Sequence, residues 1–124
     1  MSLRSPLGKV RGLGSAKNGT HHWWMQKVTA VALIPLTIWF VASIVRLTTA
    51  EYEIVISWIN SPIVAVLMML FVFTSIYHLR LGLQVIIEDY IHSEGAKIFF
   101  QIIVTFGCIV IATATIFSIL KIAL

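Results

Sequence analysis

Three long apolar runs constrain this chain more than any other feature. They cover residues 28–45, 62–87 and 98–120, and each approaches or exceeds the roughly 20 residues that a helix needs to cross a hydrocarbon core of about 30 Å. A helix of a soluble protein would show a polar face at helical period, whereas these runs are apolar all round. With 59% hydrophobic and 11% charged residues, the chain lacks the polar surface of a soluble domain. The sequence predicts an all-α membrane protein, a single domain over residues 1–124 with three transmembrane helices.

Basic residues mark one side of the membrane. The segment 1–27 contains no acidic residue, and its basic residues are Arg4, Lys9, Arg11, Lys17 and Lys27. Because Lys and Arg flank spans on the cytoplasmic side, we expect this segment and the loop 88–97 in the cytoplasm and the C-terminus in the periplasm. Pro6, Gly8, Gly12 and Gly14 interrupt its first 14 residues, so we expect a flexible tail there. The pattern indicates topology in a bacterial inner membrane, or a mitochondrial one in a eukaryote, rather than nucleic-acid binding.

A histidine interrupts the second run. His78 lies 11 residues before Asp89, which places it about 16 Å from the acidic end of the helix and near the middle of the bilayer. Gly82 follows one turn later on the same face. Two interpretations remain open: a hydrogen bond to another helix, or ligation of a haem iron, with the glycine admitting a flat macrocycle. The remaining histidines lie outside the predicted spans, so a second iron ligand would have to come from another subunit.

Arg80 and the pair Asp89–Tyr90 add polar chemistry to the same run. An arginine inside a span needs a carboxylate, a carbonyl or a path to the interface. Since Arg80 points away from His78, we expect a partner helix or an aqueous pocket to receive it. Asp89 and Tyr90 fit an ordinary interfacial helix end. They also fit a site in which the tyrosine hydroxyl donates to a quinone carbonyl and the aspartate orients that hydroxyl.

These residues together resemble a known family. The spacing His78-x3-Gly82-x6-Asp89-Tyr90, with SAKNGTHHWWMQKVTA at residues 15–30, resembles the smaller of the two hydrophobic membrane anchors of succinate dehydrogenase (respiratory complex II), particularly alphaproteobacterial members. The resemblance implies a helix bundle shared with a second membrane anchor subunit, with haem b held between the two. It also implies that His78 is an axial haem ligand. It further implies that Tyr90, beside Asp89, hydrogen-bonds ubiquinone next to an iron–sulfur subunit.

The segment before the first span carries further implied roles. His21 and Lys27 match a region of the family in which a basic residue lies near the haem propionates. Lys27 stands where some relatives have arginine, which alters the geometry available to a carboxylate. Arg80 replaces an apolar or aromatic position of some members, and the resemblance gives it no role.

The expected function is therefore that of a membrane anchor subunit of succinate dehydrogenase. The chain has one cysteine, Cys108, and no glycine-rich dinucleotide motif, so FAD and iron–sulfur clusters are expected only on the flavoprotein and iron–sulfur partner subunits. A fumarate reductase anchor is the first alternative. A small proton-coupled transporter would need an acidic residue within a span, whereas all acidic residues lie in loops or at span ends. A structural subunit, in which His78 only packs helices, is the third alternative.

Overall fold

Five helices follow one another along the chain. The structure, a computed structural model, describes residues 3, 5–12 and 19–124. Its elements are α1 (Pro6–Val10), α2 (Gly19–Leu47), α3 (Tyr52–Asn60), α4 (Pro62–Tyr90) and α5 (Glu94–Ala123). No strand occurs in the described ranges, and α2, α4 and α5 are long and apolar enough to cross a membrane. The predicted all-α fold with three spans is confirmed.

The long helices extend beyond the predicted apolar runs. α2 has 29 residues, or about 43 Å at 1.5 Å per residue. It begins at Gly19, so residues 19–27, which we placed in the basic segment before the first span, form its first turns. Residues 6–10 are also helical, because Pro6 occupies the first turn and the Ser5 hydroxyl accepts a hydrogen bond from the Gly8 amide at 3.0 Å. The basic residues Arg4 and Lys17, and residues 15–18 of the family motif, lie outside the described residues.

α4 is the central helix of the bundle. It packs against α2 on one side and against α5 on the other. Stacking of Phe40 on Phe71, with ring centroids 4.7 Å apart, joins α2 to α4. The connection between the first two spans contains α3, whose Trp58 stacks on Trp39 of α2 at 5.8 Å. The helix that carries His78 is thus held from both sides within this chain.

Little of the bundle is buried. Among the described residues, the buried ones are Thr29, Ala65, Leu81, Ile87 and Ile119. A three-helix layer leaves most apolar side chains on its outer faces, which suits a lipid environment because the surrounding solvent is itself apolar. Thr29 is the one polar member of the buried group. Its burial therefore needs a specific hydrogen-bond partner.

Candidate functional site

The partner of Thr29 on a neighbouring helix is His78. The Nδ1 atom of His78, on α4, lies 2.8 Å from the Oγ1 atom of Thr29, on α2. Thr29 is 6% exposed, while His78 is half-buried. No described residue hydrogen-bonds the other ring nitrogen, Nε2. One nitrogen of the imidazole thus joins two helices of this chain, and the other has no partner among the described residues.

Gly82 lies one turn after His78 and also faces α2. A Cβ atom added there would come no closer than 3.9 Å to another residue, the Nε2 atom of Gln26. That separation is ordinary van der Waals contact, so α2 alone does not require a glycine at this position.

A polar cavity of about 500 Å³ lies between the start of α2 and the end of α4. Its lining residues are Gly19, His21, His22, Met25, Tyr77, Arg80, Leu81, Gln84 and Glu88. It brings together His21 and Arg80, which the sequence alone did not connect. It also includes His22, whose buried Nε2 has no hydrogen-bond partner among the described residues. The beginning of α2 and the end of α4 therefore share one end of the bundle.

Arg80 begins a chain of hydrogen bonds along α4. Its Nη1 atom donates to Oε1 of Gln84 at 2.9 Å, and Nε2 of Gln84 donates to Oε1 of Glu88 at 3.0 Å. We call Arg80, Gln84 and Glu88 the polar ladder. Within the described residues no carboxylate lies within 4 Å of Arg80. Through Gln84, the polar ladder connects the Arg80 guanidinium to the Glu88 carboxylate near the end of α4. The i, i+4, i+8 spacing of these residues in the sequence predicts that they are neighbours on one face of a helix.

The polar ladder leads to a stability prediction. Gln84→Leu removes the hydrogen-bond partner of the guanidinium and should lower the stability of the assembled, detergent-solubilised protein by about 1 kcal/mol. The double substitution Arg80→Leu/Gln84→Leu should recover most of that loss, because no guanidinium is then left without its partner, and the exposed Glu88 carboxylate, which loses the Gln84 donor, is hydrated instead. Thermal unfolding of the four proteins of this double-mutant cycle measures the coupling. If the losses of unfolding free energy in the two single variants simply add up in the double variant, Arg80 and Gln84 are not energetically coupled. Lys97→Ala, in the exposed pair with Glu94, is the control and should change little.

Tyr90 and Asp89 lie at the last turn of α4. Tyr90 is 78% exposed and is the last helical residue, with Ile91 as the C-cap. Asp89 is exposed as well. Neither side chain lines the cavity or hydrogen-bonds a described residue. The tyrosine hydroxyl is therefore available to a molecule or subunit that docks on this end of the bundle.

Lys27 and His21 do not share a face of α2. Their separation of six residues turns the helix by about 600°, which leaves them roughly 120° apart. Lys27 is exposed, and its Nζ atom lies 6.0 Å from the centroid of the Trp23 ring, within reach of a cation–π contact. His21 lines the polar cavity and Lys27 does not. The structure thus separates the two residues that the resemblance assigned to the haem propionates.

The fold and site define a class of protein: a three-span helical membrane subunit with an imidazole on its central helix and an exposed tyrosine at the end of that helix. Residues 1–114 match the succinate dehydrogenase/fumarate reductase transmembrane subunit family, and the chain belongs to that family. The family predicted from His78, Gly82, Asp89 and Tyr90 is confirmed.

Curated relatives agree with this assignment. The chain is 34% identical over 114 residues to the succinate dehydrogenase hydrophobic membrane anchor subunit of Paracoccus denitrificans, covering 92% of this chain and 88% of the relative. It is 33% identical to the protein of the same name from Rickettsia conorii, covering 90% of each chain. The protein of that name from Rickettsia bellii is 37% identical over 72% of this chain and 71% of its own. No solved structure matches significantly. The predicted function, a succinate dehydrogenase membrane anchor subunit, is confirmed by the family and these names.

Proposed function

We propose that this chain binds haem b together with a second anchor subunit, and that it forms part of the ubiquinone site of a succinate dehydrogenase. The observation that carries the proposal is the imidazole of His78. It lies on the central helix, is tied through Nδ1 to Thr29 at 2.8 Å, and has no described partner at Nε2. An ionisable group inside a span is retained for a function or for a specific partner.

The residues around His78 fit a haem. His78 would hold the iron through Nε2, and Gly82, which has no side chain, would let the macrocycle approach α4 closely; the nearest atom to a Cβ built at Gly82 is Nε2 of Gln26, at 3.9 Å. When bound, haem b supplies a group that accepts and returns one electron. The separation of His21 from Lys27 means that the two residues would meet propionates from different faces of α2. The polar cavity adds Arg80 near His21 as a second cation for a carboxylate.

The quinone end of the site would be Tyr90. Its hydroxyl, exposed at the end of α4, would donate a hydrogen bond to a carbonyl oxygen of ubiquinone, and Asp89 would orient that hydroxyl. A donor at the end of a span suits a ligand whose tail lies in lipid and whose head is polar. The chain's own contribution to the reaction is to position the quinone head and to stabilise charge on its oxygen during reduction.

Oxidation of succinate would belong to partner subunits. We propose that a flavoprotein with FAD and an iron–sulfur subunit dock on the cytoplasmic end of the bundle, where α2 begins and α4 ends. The N-terminus would lie in the cytoplasm and the C-terminus in the periplasm of a bacterial inner membrane, following the basic residues that precede the first span. The names of the relatives favour succinate oxidation over fumarate reduction.

Purification of the intact complex tests this proposal. The reduced-minus-oxidised spectrum should show low-spin haem b, and the extracted pigment should amount to about one haem for each copy of this chain, because one span histidine supplies one axial ligand. A complex that is intact and oxidises succinate but contains no haem would leave His78 as a packing residue. That result would not bear on the proposed quinone contact of Tyr90, which is tested by its own substitution.

A further inference from the structure

We propose that Thr29 is a positioning residue for the haem: its hydroxyl holds His78 in the ring tautomer that presents the Nε2 lone pair to the iron. This inference rests on the proposed haem function. It concerns a residue on α2, 49 positions away from the histidine. The tautomer of His78 follows from which atom of the Thr29–His78 hydrogen bond carries the proton.

The surroundings of the Thr29 hydroxyl identify the donor. Oγ1 lies 2.7 Å from the carbonyl oxygen of Met25 and 3.1 Å from that of Gln26, in addition to 2.8 Å from Nδ1 of His78. A carbonyl oxygen only accepts hydrogen bonds, and a hydroxyl has one proton to donate. If that proton pointed at Nδ1, the Met25 carbonyl would face hydroxyl lone pairs at 2.7 Å without a hydrogen between them. The proton therefore points to the carbonyl, and Thr29 accepts from Nδ1–H.

This arrangement specifies the free ring nitrogen. A neutral imidazole carries one N–H, so a proton on Nδ1 leaves Nε2 with its lone pair. Iron binds that lone pair, and a hydrogen bond accepted from the opposite N–H orients the ring and makes it a stronger electron donor. In many metal sites a carboxylate or a backbone carbonyl plays this part. Here a hydroxyl oxygen plays it, polarised by its own bond to the Met25 carbonyl.

Burial makes the contact selective. Thr29 is 6% exposed, so water does not compete for the hydroxyl, and the opposite tautomer would place two acceptors against each other in a dry site. The β-branched side chain has few rotamers in a helix, which holds Oγ1 in position. The bond to the carbonyl four residues earlier is the usual one for a helical threonine. Packing of α2 on α4 adds the histidine as the second partner.

Two substitutions separate the hydroxyl from the shape of the side chain. Thr29→Val keeps the branched shape and removes the hydroxyl, whereas Thr29→Ser keeps the hydroxyl and removes a methyl group. In the intact complex, Thr29→Val should weaken haem retention about tenfold or more, raise the haem midpoint potential and change the electron paramagnetic resonance g-values of the ferric haem. The potential should rise because a weaker donor ligand stabilises ferric iron less. Thr29→Ser should keep the midpoint potential and the g-values of the native complex.

A matched control exists on α5. The Thr115 hydroxyl makes the same bond to a carbonyl four residues earlier, 2.7 Å from Ile111, but has no histidine partner among the described residues. Thr115→Val should leave the haem potential and g-values unchanged. Haem properties unaltered in Thr29→Val, or altered equally in Thr29→Ser, would overturn the positioning role while leaving the haem proposal intact. A native complex without haem would overturn the proposed haem function and this inference with it.

Discussion

His78→Ala should abolish most haem binding by the assembled complex. The substitution removes the proposed axial ligand, and its effect should exceed the roughly tenfold to hundredfold loss typical of outer-sphere partners. It also removes the hydrogen bond between His78 and Thr29, but the Thr29 hydroxyl keeps its bond to the Met25 carbonyl, so the loss of stability should be only about 1 kcal/mol. The measurement is haem content per complex, together with the reduced-minus-oxidised spectrum and gel-filtration profile of the same sample.

A second histidine provides the control for this experiment. His92 is exposed just after α4 ends, so His92→Ala should retain full haem content. If His78→Ala kept native haem content in an intact complex, His78 would not be a ligand. Loss of haem in both variants would point to general damage to assembly rather than to ligation.

Tyr90→Phe should lower quinone reduction while sparing the rest of the enzyme. The substitution removes the hydroxyl and keeps the ring, so the quinone carbonyl loses one hydrogen-bond donor. This loss should reduce kcat/KM for ubiquinone about tenfold, equivalent to roughly 1.4 kcal/mol. Succinate oxidation with a soluble electron acceptor and the haem spectrum should not change. Steady-state assays with the two acceptors on one preparation give the comparison.

Tyr52 serves as the matched tyrosine. It is 74% exposed at the start of α3, at the end of the bundle opposite to Tyr90. Tyr52→Phe should therefore leave quinone reduction unchanged. Native ubiquinone kinetics in Tyr90→Phe would remove Tyr90 from the quinone site, whatever the result for His78.

The structure joins the two interpretations that His78 allowed. The imidazole does pack helices, since it hydrogen-bonds Thr29, and this alone would satisfy the structural alternative. A histidine ring has two nitrogens, however, and the packing contact occupies Nδ1 only. Helix packing and the proposed iron ligation are thus compatible roles, because the packing contact leaves Nε2 without a partner among the described residues.

Local patterns in the sequence were sufficient for much of this protein. The three apolar runs predicted three helices, because span length follows from bilayer thickness and 1.5 Å per residue. The shared face of His78 and Gly82 followed from helical period alone. The polar ladder was accessible in the same way, since Arg80, Gln84 and Glu88 are spaced by one turn, yet we expected the partner of Arg80 to lie outside its helix.

Contacts between helices required the folded chain. Thr29 is an ordinary residue of an apolar run until α2 packs on α4 and places its hydroxyl at Nδ1 of His78. The separation of His21 from Lys27 likewise depends on α2 being helical from Gly19, through residues that we placed before the first span. Runs that are apolar all round carry no pattern for the register or facing of neighbouring helices. Tertiary packing sets both, and with them the contact between Thr29 and His78.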